Sequence, residues 1–234
     1  MFKLLLTWFT IIGLTLSAQS GQMSLMGAGK GTPTAGGGGG LTWTFGDGVD
    51  NNSGVFTGIT LGSGLLVVSV VSRSSPVADI SAVSFGATSL TKATGQYGAS
   101  NIVNPFAVWY GVVSAATNTI TVLNAGGVVY DCAISYGVIA GANSTPTSIQ
   151  PLAELVTTTP NLTITVPTGG IAITAFASDR PVTGSWSGST QDSLVGLIGT
   201  QDLTQGHSTA TGSINPKWTG TNAWYAGGSV AWGP

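Results

Sequence analysis

The stretch "GLLVVSVVSR", residues 64–73, decides the fold class of this chain. Its apolar side chains do not alternate with polar ones, and they continue on both faces of an extended segment. β-Branched residues favour strands, and a strand that is apolar on both faces is typical of the buried centre of a sheet. The stretch therefore predicts a central strand that is covered on both sides.

A second stretch, "VVYDCAISYGVIAG" at residues 128–141, shows strict alternation and also predicts a strand. One face of this strand carries Val128, Tyr130, Cys132, Ile134, Tyr136 and Val138, and the opposite face carries Asp131, Ala133, Ser135 and Gly137. Because free cysteine behaves as a small hydrophobe, we expect Cys132, the only cysteine of the chain, to be buried on the first face.

The remainder of the chain after residue 40 consists of short apolar runs separated by Gly, Pro, Asn and Ser. About ten short strands at a spacing of roughly 8–12 residues are typical of a sandwich. We therefore predict an all-β fold, an antiparallel β-sandwich with a jelly-roll-like arrangement. A single helical turn is expected in "TSIQPLAELV", residues 147–156, and no repeat of fixed period is visible.

The first forty residues differ in character from the rest. Residues 1–22 form an apolar leader, which predicts either a secretory signal or an arm that docks on a partner; a natural start at Met23 is a third reading. Residues 23–40 end in "TAGGGGG" and predict a flexible Gly-rich arm, since glycine is costly to order. Residues 41–234 are predicted to be the β-sandwich head domain.

The low charge of the chain limits the classes of partner that it is expected to bind. Six basic and eight acidic residues make up 6% of the chain and give a net charge of -2, whereas soluble domains average about 25% charged residues. The basic residues are scattered and form no stripe for phosphates, so nucleic-acid binding is not expected. A surface with little charge repulsion suits subunits that pack together, and we expect a homo-oligomer.

No residue pattern predicts catalysis, and the chain is not expected to be an enzyme. The only histidine, His207, lies in the polar segment "TQGHSTATG" and is interpreted as a surface-loop residue. No G-x-S-x-G motif is present. The acidic residues that could serve as paired carboxylates are expected to cap turns or face solvent: Asp131, Glu154, Asp179, Asp192 and Asp202.

The segment "FGDGVDNNSG" contains the only metal-site candidates. Asp47, Asp50 and Asn52 would supply hard oxygen ligands of the type that calcium prefers. The spacing is not that of an EF-hand loop, and the alternative is a simple turn. No other cofactor is expected.

Two of the seven tryptophans are candidates for surface binding. Trp186 in "TGSWSGST" and Trp218 in "NPKWTGT" lie in polar, Gly-bearing segments. Aromatic side chains at the rim of a fold are enriched at binding surfaces. Contact with a sugar or a partner is one interpretation, and anchoring of a loop is the other.

Four segments together resemble a β-sandwich module of tailed-bacteriophage virion proteins, where it occurs in head-decoration, spike, fibre and tail proteins. The resemblance extends over roughly residues 54–232. It lies in the pattern of strands and of the turn residues between them, with Arg73 and "VPTGG" as its most recognisable points. It implies a structural or adhesive role and transfers no functional residues. The segments are "LLVVSVVSRSSPVADISAVSFGATSLTKA", "FAVWYGVVSAATNTITVLN", "VVYDCAISYGVIAG" and "VPTGGIAITAFAS".

The sequence thus leads to two functional hypotheses. In the first, the chain is a non-enzymatic virion protein whose N-terminal arm docks on other virion proteins and whose head serves assembly or adhesion to a host-surface glycan. In the second, it is a secreted bacterial carbohydrate-binding module, and the apolar leader is its signal.

Overall fold

The computed structural model describes residues 40–75, 78–96, 105–126, 128–197 and 201–234, and this part of the chain is all-β. Its ladders are antiparallel, which confirms the predicted antiparallel β-sandwich. The predicted leader and the predicted arm up to residue 39 lie outside the described residues. The strands are β1 (Thr42–Asn51), β2 (Val55–Leu61), β3 (Gly64–Ser75), β4 (Ile80–Phe85), β5 (Thr88–Ser89), β6 (Thr91–Gln96), β7 (Phe106–Val113), β8 (Ala116–Asn124), β9 (Val128–Ala140), β10 (Ser148–Thr157), β11 (Ile164–Val166), β12 (Ile171–Ser178), β13 (Gly184–Ser187), β14 (Thr190–Leu197), β15 (Gln201–Ser208), β16 (Gly212–Ile214), β17 (Lys217–Gly220) and β18 (Ala223–Trp232).

The first nine strands form two sheets with the strand order of a jelly roll. Sheet A has the order β1-β9-β3-β7-β6, and sheet B has the order β2-β8-β4-β5. The first strand pairs with the last, the second with the second-last (β8) and the third with the third-last (β7). This nested pairing across two sheets is that of a jelly roll, and it confirms the predicted jelly-roll-like arrangement.

The last nine strands repeat this arrangement. Sheet C has the order β10-β18-β12-β15-β14, which matches the order β1-β9-β3-β7-β6 of sheet A position by position. In this match β10 corresponds to β1, β18 to β9, β12 to β3, β15 to β7 and β14 to β6. The two-stranded ribbons β11–β16 and β13–β17 take the places of the β2–β8 and β4–β8 pairs. Even the bulge in β6, between Lys92 and Thr94, recurs in β14 between Gln191 and Ser193. The chain therefore contains a repeat of topology that its sequence does not display.

Sheets A and C pack face to face, and the two halves are related by an approximate two-fold axis. Edge strand β1 of sheet A lies across β14 of sheet C, and β6 of sheet A lies across β10 of sheet C. Because β10 corresponds to β1 and β14 corresponds to β6, the same contact occurs twice with the two halves exchanged. The side chains between the two sheets form the central core of the molecule. Its buried residues include Leu41, Leu65, Val67, Val71, Phe106, Val108, Ala133, Ile139, Ile171, Ile173, Ala175, Leu203, Val230 and Trp232.

Strand β3 is covered on both faces, as its sequence predicts. Leu65 and Val67 face the central core, whereas Leu66 and Val68 belong to a second core between sheets A and B. Cys132 lies in that second core and is fully buried, which confirms the expectation for the alternating strand β9. Sheet A is therefore shielded from water by sheet B on one face and by sheet C on the other.

The outer face of sheet C is covered by the two ribbons. One cluster joins Phe176 and Tyr225 of sheet C to Trp218 of β17, and a smaller one joins Ala172 and Ala231 to Ile164 of β11. The order of layers is thus sheet B, sheet A, sheet C and ribbons, which is more than the two layers of a single sandwich.

The helical turn expected in residues 147–156 is wrong, because this segment is strand β10. It forms the edge of sheet C and pairs with β18, with Pro151 opposite Gly228. Proline cannot donate to a ladder and is tolerated on edge strands, where its missing N–H faces away from the partner. Pairing with β18 therefore decides the conformation of this segment.

Candidate functional site

Trp186 is a half-buried side chain that is held in place on three sides. It lies on β13 and stacks on Phe176, with 5.3 Å between the ring centroids and 19° between the ring planes. Its indole N–H donates to Oγ1 of Thr204 at 2.9 Å. A second tryptophan, Trp218, meets it edge-on at 6.0 Å. This ring is fixed in orientation and still partly accessible to a partner.

The expectation that Trp218 is a rim aromatic is wrong, because its side chain is fully buried. Trp218 pairs directly with Trp186 across the β13–β17 ribbon and packs against the outer face of sheet C. The glycines around it make room for the ring: a Cβ at Gly184 would lie 2.8 Å from the indole, and one at Gly220 would lie 2.5 Å from Nε1. These glycines made the sequence around Trp218 look like a loop, but in the structure they allow its ring to pack closely against the neighbouring backbone.

The three calcium candidates are not brought together. Asp47 and Asp50 both lie on β1 and are opposite Tyr136 and Ala133 of β9. Their side chains point to opposite faces, because side chains alternate along a strand and the two aspartates are three positions apart. Asn52 follows the strand and is exposed. The turn itself is stabilised by the side chain of Asn51, which accepts from the backbone N–H of Ser53 and Gly54.

Three of the acidic residues are buried, which corrects the expectation that all five cap turns or face solvent. Asp131, Asp192 and Asp202 are at most 8% exposed. Burial raises the pKa of Asp202, although its carboxylate accepts from the backbone N–H of Val182 at 2.6 Å, a bond that opposes the shift. Asp202 thereby fixes the loop before β13 and has a structural role.

Asp131 of β9 lies next to Arg73, the residue at which the decisive stretch ends. Their charged groups are 3.9 Å apart, between Arg73 Nη1 and Asp131 Oδ2. Burial raises the pKa of Asp131, the Arg73 charge opposes this shift, and the nearby Asp50 adds to it. The pair fixes the register of β3 and β9, where Arg73 is directly opposite Asp131.

The expectation of a surface-loop histidine is wrong, because His207 lies on strand β15 and pairs with a buried carboxylate. Its Nδ1 is 2.7 Å from Oδ1 of Asp192, whose side chain is 4% exposed, and the histidine side chain is 24% exposed. Asp192 is the extra residue of the β14 bulge, which lies between Gln191 and Ser193. The bulge shifts the strand by one residue at this point, and the sequence carries no evident signal for it.

This pair has the chemistry of an oriented histidine. Nδ1 of His207 can donate a hydrogen bond to Oδ1 of Asp192, since a carboxylate oxygen accepts. Nε2 then remains as the ring nitrogen that can contact a ligand. The ring of Trp43, on β1 of the other half, packs against the imidazole with 6.2 Å between centroids. Two strands of sheet C and one of sheet A thus hold this side chain.

The described ranges contain no group of three or more His, Cys, Asp or Glu side chains that could bind a metal ion. They also contain no helix with the length and apolar character needed to cross a membrane. Comparison of the chain with protein-family models, with curated proteins and with solved structures finds no match.

Proposed function

We propose that this chain is a non-enzymatic structural protein of a bacteriophage particle, whose head is displayed for assembly or for adhesion to a host surface. One observation carries the proposal: two jelly-roll halves pack face to face through one continuous core. Jelly rolls are frequent in viral capsid proteins and in lectins. Such a unit is rigid and leaves its outer faces and sheet edges for neighbouring subunits.

The outer face of sheet B supports the proposed contacts with further copies. Val55 and Leu123 are 43% and 54% exposed there. They lie on the same face of neighbouring strands, since Val55 is opposite Thr121 and Leu123 follows two residues later. Exposed apolar side chains of this kind suit a homo-oligomer or a contact with another virion protein.

Quantitative mass spectrometry of purified particles tests this proposal. We expect peptides of residues 41–234 at a fixed stoichiometry to the major capsid protein, which serves as the control in the same sample. The copy number should remain constant through a second density gradient. Recovery of the chain only in the particle-free supernatant would contradict the proposal.

The alternative function is a secreted bacterial carbohydrate-binding module. The partly accessible ring of Trp186 favours it, because its orientation is fixed by Phe176 and Thr204. Burial of Trp218 removes the second ring of the expected platform. Glycan-array binding that is lost in Trp186→Ala, while the variant still unfolds cooperatively, would support this alternative.

A further inference from the structure

The end of the fold at which the chain enters it carries two exposed apolar side chains. Gly40 is the first described residue, and it lies beside the turn between β11 and β12. A Cβ at Gly169 of that turn would be 3.8 Å from Gly40 Cα and 3.8 Å from Pro234 Cγ, so β18 ends at the same place. Val112 is 60% exposed and Ile149 is 41% exposed. Strand pairing places both of them at this entry end.

Val112 lies at the entry end of sheet A. Leu65 of β3 is opposite Val112 on one side and Ile139 on the other, and Ile139 is opposite Trp43 near the start of β1. Side chains that are directly opposite share a face of the sheet, so Val112 is on the face of Leu65, which belongs to the central core. Val112 therefore extends the apolar face of the core to a point where it remains uncovered.

Ile149 lies at the entry end of sheet C. It is opposite Val230, which also belongs to the central core, and Trp232 follows Val230 on the same face of β18. The ring of Trp232 meets that of Tyr110 edge-on, with 5.8 Å between the centroids, and Tyr110 is two residues before Val112. The two exposed side chains thus border one contact between the sheets. We call Tyr110, Val112 and Ile149 the entry patch.

Among the described residues, the turns that surround the entry patch carry no charged side chain. Charged pairs lie at the opposite end of the fold, where β3 ends near Arg73 and Asp131 and where β12 is followed by Asp179 and Arg180. A segment that covers the entry patch therefore takes no charged group of the head out of water, provided that it is itself uncharged. These turns are residues 62–63, 114–115, 141–147, 167–170, 209–211 and 233–234.

The chain contains an uncharged apolar segment that can reach this patch. Residues 4–16, "LLLTWFTIIGLTL", lie outside the described residues and are joined to Gly40 through the Gly-rich residues 23–39. A Gly-rich coil of that length spans about 20–25 Å. Strand β7, which carries Val112, is three strand spacings from β1 in sheet A, or about 14 Å. The linker is therefore long enough for the segment to meet the patch of its own molecule.

The short linker also favours this contact over one with a second copy. A tether of this length gives an effective concentration on the order of 1 mM, which exceeds the concentration of other chains in a dilute solution. The patch lies at the rim of the central core and not inside it, because both Val112 and Ile149 remain exposed. The head can thus fold without the contact, while the contact still hides apolar surface.

We propose that residues 4–16 dock on the entry patch of their own chain before the protein assembles. Their apolar side chains cover Val112 and Ile149, and residues 23–39 form the connection. The contact keeps the apolar segment from associating with other chains, and docking of the arm on a partner requires its release. The proposal goes beyond the proposed function, since it concerns the free protein and does not depend on a virion role.

Paramagnetic relaxation measured by NMR tests this contact in the full chain. A nitroxide is attached to Thr10→Cys, and the methyl groups of Ile, Leu and Val are isotope-labelled. We expect strong broadening of the Val112 and Ile149 methyl resonances and none of those of Val55 on sheet B. A chain without Thr10→Cys should take up no nitroxide, because Cys132 is buried. An equal effect on Val55, or no effect on Val112 and Ile149, would overturn the proposal.

A mixture of chains separates contact within one molecule from contact between molecules. Chains that carry the nitroxide but no isotope label are mixed with isotope-labelled chains that carry no nitroxide. We expect no broadening of Val112 or Ile149 in this mixture. Broadening as strong as that in the doubly labelled chain would overturn the proposal, because the segment would then dock on a second copy.

Variants assign the contact to the entry patch. Val112→Asp should abolish the broadening of Ile149, whereas Leu123→Asp, at an exposed apolar position of sheet B, should leave it unchanged. If Val112→Asp fails to fold, Ile149→Asp with Val112 as the reporter takes its place. Broadening that persists in the patch variant would overturn the proposal.

The outcome is separable from that of the proposed function, because it is measured on the free chain. A chain that is present in particles but shows no contact at the entry patch refutes the docking proposal alone. A chain that shows the contact but is absent from particles refutes the virion role alone.

Discussion

The hydroxyl group of Ser69 on β3 donates to Oε1 of Gln205 on β15 at 2.7 Å, across the boundary between the two halves. Both side chains are fully buried. By strand pairing, Ser69 corresponds to Ala175 in the other half and Gln205 corresponds to Val108. The approximate two-fold axis therefore relates a hydrogen-bonded pair to two apolar residues of the same core.

We expect Ser69→Ala to lower the free energy of unfolding by about 1–3 kcal/mol, because it leaves the buried Gln205 amide without its donor. The double variant Ser69→Ala with Gln205→Val copies the apolar pair and should recover most of this loss. Urea denaturation of both single variants and the double variant gives the coupling energy. Additive losses in the two single variants and the double variant would contradict the predicted coupling between Ser69 and Gln205.

Cys132 should react with a thiol reagent only when the protein unfolds. The side chain is buried, and burial raises the pKa of its thiol well above the ordinary value, so little thiolate is present. We expect native protein at pH 8 to be labelled at least a hundredfold more slowly than protein in urea. Rapid labelling without denaturant would contradict the placement of β9 between two sheets.

Asp131→Asn should stabilise the protein more at pH 7 than at pH 3. Burial raises the pKa of Asp131 in the folded protein. The favourable contribution of its protonated form is therefore complete below the ordinary pKa of 3.8 and is lost as the pH rises through the folded pKa. Asparagine removes this loss.

Denaturation at the two pH values checks the prediction for Asp131. Asp79→Asn is the control, because Asp79 forms a partly exposed ion pair with Lys92 and should change stability by less than about 1 kcal/mol. A larger loss for Asp131→Asn at pH 7 than at pH 3 would mean that attraction to Arg73 outweighs burial.

Trp218→Ala should lower the free energy of unfolding by about 3–5 kcal/mol, as expected for deletion of a fully buried aromatic ring. Trp186→Ala should cost less, because that ring is only half-buried. Thermal unfolding of the two variants side by side tests the difference. Equal losses, or a larger loss for Trp186→Ala, would contradict the assignment of Trp218 to the outer core.

The buried strands were predictable, whereas the layers were not. The apolar residues of β3 and the alternation in β9 are local patterns, and both strands lie where those patterns place them. The repeat of topology is hidden because corresponding positions have different chemistry, as Val108 and Gln205 do. The two halves share their strand pairing, although the side chains at corresponding positions differ.

The candidate site was less predictable than the fold, because residues that are distant in the sequence form it. His207 and Asp192 are 15 residues apart and meet only because the β14 bulge moves Asp192 out of the regular alternation. The glycines around Trp218 are turn residues in most sequences, but here they provide space for its ring. Local sequence could not distinguish these two uses of glycine.

The head should fold without the first forty residues. Leu41 already belongs to the central core, and its backbone N–H donates to the carbonyl oxygen of Gly169 at 3.0 Å. A chain that begins at residue 41 therefore retains every core residue identified in the described ranges. Its melting temperature should lie within a few degrees of the full-length value.

Incorporation of this truncated chain into particles tests the central claim most directly. Cells that produce particles receive either the full chain or residues 41–234, and the amount of each in purified particles is measured against the major capsid protein. We expect a cooperatively folded head that is lost from the particles when residues 1–40 are removed. A truncated chain that melts far lower, or one that is incorporated as well as the full chain, would contradict it.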